Sequence, residues 1–151
     1  MVHMSYRRFA AMVGTSTMLM FGLMYSTVYA LDHVRWSETM FYMALYMGAV
    51  MAVVMLSFMW KMYPSRAANV GIVLGAVVII AGGLALARSQ KTVQDVSYMR
   101  SMIPHHSVAT LTSERAEISD PRVQRLADQI IQSQTQEIAE MEELIDELES
   151  R

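Results

Sequence analysis

The 151-residue sequence contains no cysteine. That absence removes disulfides, thiolate-ligated zinc, iron–sulfur clusters and thiol nucleophiles together. Charge is sparse as well: Asp, Glu, Lys and Arg make up only 17% of the residues. The formal net charge is -2, so there is no chain-wide basic footprint for nucleic acid. Motifs are missing too. No Glu-x-x-His occurs, so a di-iron centre of the ferritin type lacks its ligands. No G-x-x-x-x-G-K-[ST] loop is present to cradle a phosphate. Ser107 stands beside His106 without the third group that would make a nucleophile. The sequence predicts no enzyme.

What fills the space is apolar: 54% of residues are hydrophobic, mean hydropathy is +0.28, and Met occurs 16 times. The apolar residues come in blocks. Phe9 to Leu31, Thr39 to Trp60 and Ala67 to Ala87 are uncharged over 23, 22 and 21 residues. A helix needs roughly 20 apolar residues to cross a bilayer core. Three transmembrane helices are therefore expected, at about 9–31, 39–60 and 67–87, forming a membrane anchor over 1–88. Residues 89–151 differ. With Arg88 included, this stretch holds 7 basic and 12 acidic residues, and it reads as a water-facing domain.

Arg7 and Arg8 precede the first block, and Lys61 and Arg66 sit in the second loop. The positive-inside rule places both in the cytoplasm. Three crossings then leave the C-terminal domain outside, in the periplasm of a bacterial inner membrane. Val28-Tyr29-Ala30 offers a cleavage site and Arg7-Arg8 a twin-arginine pair. The apolar stretch is long against the roughly 7–15 residues of a signal-peptide core, so an uncleaved anchor is expected.

Within the anchor, Ala44, Gly48 and Ala52 recur at steps of four, and Gly71 and Gly75 repeat that spacing. Small residues so spaced let helix backbones approach closely, here within the chain. Met40, Met43, Met47, Met51, Met55, Met59 and Met62 form a stripe along the second helix. Thioethers are soft ligands for Cu(I). No charged residue lies between Thr39 and Trp60, however, so the stripe reads as flexible apolar filler.

The domain that follows reads as two helices. Thr92 offers an N-cap, with Asp95 three residues on. No Gly interrupts the run to Glu117, although Pro104 removes one backbone bond. Asp120-Pro121 then predicts a cap and first helical turn. The second helix carries the heptad seam Ile131, Gln134, Ile138, Met141, Ile145 and Leu148. An antiparallel hairpin turning near 120 pairs residues whose numbers sum to about 240. Met99 then faces Met141, and His106 faces Gln134.

Met99, Met102 and His106 fall at i, i+3 and i+7 on one face, and His105 projects about 100° away. Thioether sulfur with imidazole nitrogen favours Cu(I), and Ag(I) by the same softness. Gln134 is expected to hold the His106 ring from outside the ligand set. The acidic run from Glu137 to Glu149 reads as a solvated face.

Tyr98-Met99-Arg100-Ser101-Met102-Ile103-Pro104-His105-His106, with Ala109 and Gln134-x-x-Glu137-Ile138-x-x-Met141, resembles the family called domain of unknown function 305. This is a ferritin-like helical family that includes periplasmic copper-binding proteins. The resemblance covers about residues 92–149. It implies a metal-binding helical domain, with Met99, Met102, His105, His106 and Met141 at the matching positions. Family members often carry the His-His pair twice, and this sequence has it once.

A hairpin this short buries little, and Val96, Val108 and Leu111 lie away from the Met–His face. Two hairpins would complete a four-helix bundle, so a homodimer is expected. The expectation is thus an all-α protein: three membrane helices, then a ferritin-like half-bundle. It binds copper for tolerance or delivery, with a copper-handling partner. The competing expectation is a structural or assembly subunit of a membrane complex, docking through the hairpin.

Overall fold

The computed structural model describes residues 5–150. All regular structure among them is helical: α1 (Tyr6–Leu23), α2 (Glu38–Met59), α3 (Arg66–Ser89), α4 (Asp95–Arg115) and α5 (Pro121–Glu149). Short 3-10 turns lie at Leu31–His33 and Trp60–Met62. The chain divides into two compact units. One comprises Met1–Leu23 and Thr39–Thr92, the other Met24–Glu38 and Val93–Arg151.

The first unit holds α1, α2 and α3. Two stretches are long and apolar enough to cross a bilayer: Glu38–Met62, with 25 residues, and Arg66–Ser89, with 24. The block expected to span 9–31 behaves differently. Its helix begins earlier, at Tyr6, and stops at Leu23 after 18 residues. Arg7 and Arg8 occupy its first turn, and Thr15, Ser16 and Thr17 interrupt its apolar run. Beyond it, Met24-Tyr25-Ser26-Thr27-Val28-Tyr29 is rich in residues that pay side-chain entropy in a helix. That segment joins the second unit instead.

Phe9, Ala52, Leu56 and Tyr63 form the core of the first unit. The buried face of α2 is Ala44, Gly48, Ala49, Ala52 and Leu56. At Gly48 a Cβ would collide with the Thr17 side chain of α1, so one of the two would have to shift. The pair Gly71 and Gly75 departs from expectation. A Cβ at either would meet nothing within 4 Å. The buried residues of α3 are Asn69, Ala76 and Gly83, at steps of seven, and that turns the two glycines off the packed face.

Asn69 is fully buried and satisfied. It accepts from the Tyr6 hydroxyl at 2.9 Å and donates to the carbonyls of Trp60 (3.5 Å) and Tyr63 (3.4 Å). All seven methionines of the α2 stripe are half-buried, flanking the small-residue face.

In the second unit α4 and α5 pack as an antiparallel hairpin. Met99, Ile103, Ile138 and Ile145 make its core, with Val96 and Met141 against them. The expected Thr92 cap does not form. Gln94 occupies the N-cap position without a side-chain bond, and Thr92 is 3.0 Å from the Tyr42 hydroxyl. Asp120 does cap α5, accepting from the Arg122 amide at 2.8 Å, with Pro121 in the first turn. The Arg122 guanidinium beside Asp120 holds its carboxyl below the usual carboxylate range.

The segment Met24–Glu38 straps this hairpin. The Tyr29 amide donates to Ser107 Oγ at 2.6 Å, and His33 Nδ1 lies 2.8 Å from the same oxygen. Arg35 reaches Glu142 at 3.5 Å. Ser107 is wholly buried beneath these contacts. Val96, expected to need cover from another chain, is packed into the hairpin's own core.

Candidate metal centre

A cavity of about 480 Å³ opens along the hairpin. From α4 it is lined by Asp95, Met99, Met102 and His106. From α5 it is lined by Glu137, Met141, Leu144 and Leu148. Both sets fall at i, i+4, i+7 and i+11, so one stripe of each helix faces the same space. Tyr98 and Glu140 complete the wall.

Four of the five residues read from sequence therefore meet here: Met99, Met102, His106 and Met141. His105 does not. It is exposed, its ring 6.1 Å from that of His106 and steeply inclined to it. Its neighbour's ring turns inward because adjacent helical residues diverge by about 100°.

Gln134 is not at the position expected of it. It is half-buried outside the cavity wall, and Glu137 stands beside His106 in its place. Side chains on a helix lean toward its N-terminus, so each covers a level about one residue back. In an antiparallel pair both leans raise the sum of facing numbers. His106 and Glu137 meet accordingly, one turn beyond the expected pairing.

His106 is the chemically distinctive group. Its side chain is 12% exposed. Nδ1 is buried and lacks a hydrogen-bond partner among the described residues, although Glu137 Oε2 is 3.2 Å away. The ring N–H direction is not aligned with that oxygen, so proximity does not amount to a hydrogen bond. Burial lowers the His106 pKa below the ordinary 6.5; Glu137 opposes that shift and His105 adds to it. The imidazole is thereby kept neutral, the form that ligates metal.

The donor set fits a soft ion. Three thioethers and one neutral imidazole with an unsatisfied nitrogen line one space, and no lysine or arginine lines it. No group of three or more His, Cys, Asp or Glu side chains forms a metal cage among the described residues. Any ion held here must use sulfur.

Sequence reasoning missed Asp95 and Glu137. Extending the Met99–Met102–His106 stripe one turn back reaches Asp95, and extending the Met141 stripe one turn back reaches Glu137. The strap Met24–Glu38 gave no comparable signal.

The uncharacterized protein L153 of Acanthamoeba polyphaga mimivirus is 35% identical over 109 residues, covering 71% of this chain and 70% of that protein. No solved structure matches the chain. A family model described as "Domain of unknown function (DUF305)" matches residues 84–150, which include the end of α3 and all of α4 and α5. The hairpin domain, over residues 84–150, thus belongs to the DUF305 family.

Proposed function

We propose that this protein is a membrane-anchored metal-binding protein whose hairpin takes up Cu(I), or Ag(I), for copper tolerance or delivery. The observation that carries the reading is the convergence of Met99, Met102, Met141 and His106 on one cavity, with His106 Nδ1 buried and unpartnered. Met99, Met102, Met141 and His106 would hold the ion. Bound there, it would be kept in the reduced state that thioethers favour. The chain's own work is to present the sulfurs from two facing stripes, keep the imidazole neutral and exclude competing basic groups.

In this reading α1 is a third crossing beside the two longer spans. Its 18 residues give about 27 Å, close to a hydrocarbon core. The N-terminus is then cytoplasmic and the hairpin periplasmic, in a bacterial inner membrane. Two crossings would put both ends on one side. With no native cysteine, single cysteines at Ser5 and Ser133 can be labelled from either face, and labelling from opposite faces is expected. A second copy would cover Val123 and Leu126, which are about half-exposed near the turn. Light scattering of the detergent-solubilised chain should give a dimer.

Titration of the full chain with Cu(I) against a competing chelator tests the metal reading. One equivalent should bind tightly, and His106→Ala should lose most of that affinity. Binding unchanged by His106→Ala would instead favour a structural subunit that docks through the hairpin.

A further inference from the structure

Between α1 and α2 the chain runs through the strap Met24–Glu38, and the two edges of this strap differ. On one edge His33 Nδ1 lies 2.8 Å from Ser107 Oγ, Arg35 reaches Glu142 and Ser37 is wholly buried. On the other, Leu31 is 87% exposed, Trp36 56% and Val34 45%. The backbone at Val34 is extended, and on an extended chain successive side chains alternate. His33, Arg35 and Ser37 therefore share the gripping edge, and Val34 and Trp36 point away from it.

A single exposed apolar residue is ordinary. Three between Leu31 and Trp36, opposite an anchored edge, call for cover, and the connectivity says what supplies it. Trp36 stands two residues before Glu38, where α2 and the 25-residue membrane-length stretch begin. The 22 residues of α2 give about 33 Å, close to the roughly 30 Å of a hydrocarbon core. Trp60 follows directly after the other end of α2 and is exposed as well. The only two tryptophans of the chain thus bracket this span, and tryptophan collects at the two membrane–water interfaces. Thr39 Oγ1 donates to Gln90 at 3.3 Å, so the end of α3 lies beside the start of α2. Arg88 and Lys91 flank Gln90 there, and their charges suit a surface of lipid phosphates.

We infer that Leu31, Val34 and Trp36 form a lipid-docking edge, which enters the headgroup interface of a phospholipid bilayer where α2 begins. The inference does not involve the metal site and rests on the membrane-anchored part of the proposed function. Interfacial segments sink apolar side chains about 5–10 Å into the headgroup boundary while their polar side stays wet. Here the polar side is occupied by the hairpin, through Ser107 on α4 and Glu142 on α5. One short segment thereby holds the hairpin at the lipid surface instead of leaving it on a free tether.

With no native cysteine, single cysteines can carry nitroxide labels on the full chain in phosphatidylcholine–phosphatidylglycerol vesicles. Each label is read for collision with oxygen, which concentrates in lipid, and with a water-soluble nickel chelate. Leu31→Cys and Val34→Cys alter exposed positions, so the fold should persist, as circular dichroism will verify. Val78→Cys, exposed midway along α3, supplies the lipid reference, and Ser133→Cys, exposed on α5, the water reference. The oxygen-to-nickel ratio at Leu31 and Val34 is expected to exceed that at Ser133 by about threefold or more. In Trp60→Phe, the emission of Trp36 should be quenched more by lipids brominated near the headgroup than by lipids brominated at the chain ends.

A ratio at Leu31 and Val34 equal to that at Ser133 overturns the inference. So does exclusion of both reagents, because protein, such as a second copy, would then cover the edge. If the Val78 label also behaves as Ser133 does, the membrane anchor falls and this inference falls with it. If Val78 is lipid-like while Leu31 and Val34 are water-like, the anchor stands and the docking edge alone is lost.

Discussion

Two sets of methionines divide this molecule. Seven lie along α2 from Met40 to the turn at Met62; three lie on the hairpin. Each set follows helical spacing, and by periodicity α2 carries the stronger pattern. Yet its methionines are half-buried beside a packed face of small residues, on a helix that offers no imidazole. The hairpin's three reach one cavity from two helices, together with a buried nitrogen. Thioethers on one helix are filler, while thioethers that converge across a seam with a nitrogen donor are a candidate site. Mixed donors on facing elements carry the distinction, and methionine content does not.

Exchanging the two sets should break or confirm that contrast. Replacing Met99, Met102 and Met141 with Leu is expected to weaken Cu(I) by about 100-fold or more, since even changes outside the ligand set cost about 10–100-fold. Replacing the α2 methionines with Leu should leave Cu(I) affinity within about threefold, because Leu conserves volume. A loss as large from the α2 exchange would move the site into the membrane helices.

The same contrast holds for stability. Ile103 is fully buried at the hairpin core. Ile103→Ala should destabilise the second unit by about 2–5 kcal/mol, through lost burial and an unfilled cavity. Met51→Leu on the half-buried stripe should cost less than about 1.5 kcal/mol. Thermal melts followed by circular dichroism would separate the two.

How much of this was legible beforehand follows from the range of the interactions. Local rules place α2, α3, the Asp120–Pro121 start of α5 and the inward stripe of α4, because periodicity and capping act over a few residues. The end of α1 at Leu23 was not legible. The segment that follows it is held by Tyr29 and His33 reaching Ser107, 78 and 74 residues away. The exchange of Gln134 for Glu137 beside His106 has a different origin. A two-dimensional register ignores the lean of side chains, which shifts facing partners. Gly71 and Gly75 failed for a third reason: spacing reports which residues share a face, but Asn69, Ala76 and Gly83 decide which face of α3 is packed.

Proton competition should sharpen the comparison further. Burial lowers the His106 pKa, Glu137 raises it and His105 lowers it; Asp95 and Glu140 line the same cavity. The folded chain therefore binds fewer protons at His106 than the unfolded chain between the lowered value and 6.5. The stability that the neutral ring contributes is full above 6.5 and is lost as pH falls through the folded value. Cu(I) affinity should accordingly stay level below 6.5 before dropping. In Glu137→Gln the drop should move to lower pH, because the charge that favours protonation is gone. An affinity that has already fallen when pH is lowered to 6.5 would refute the buried ring.

The smallest expected effects test which glycine is structural. Gly48→Ala forces a Cβ into the Thr17 side chain, so one of the two must move. Gly75→Ala meets no atom within 4 Å and also removes the flexibility that glycine costs a helix, about 0.5–1 kcal/mol. Gly48→Ala should therefore lower the melting temperature of the solubilised chain, and Gly75→Ala should leave it unchanged or raise it slightly. The opposite order would mean that Gly71 and Gly75 contact something beyond this chain. A second copy of α3 is the natural candidate, because small residues four apart permit close helix pairing in a bilayer. Repeating the Gly75→Ala melt at several protein-to-detergent ratios would decide it, since only a contact between copies depends on concentration.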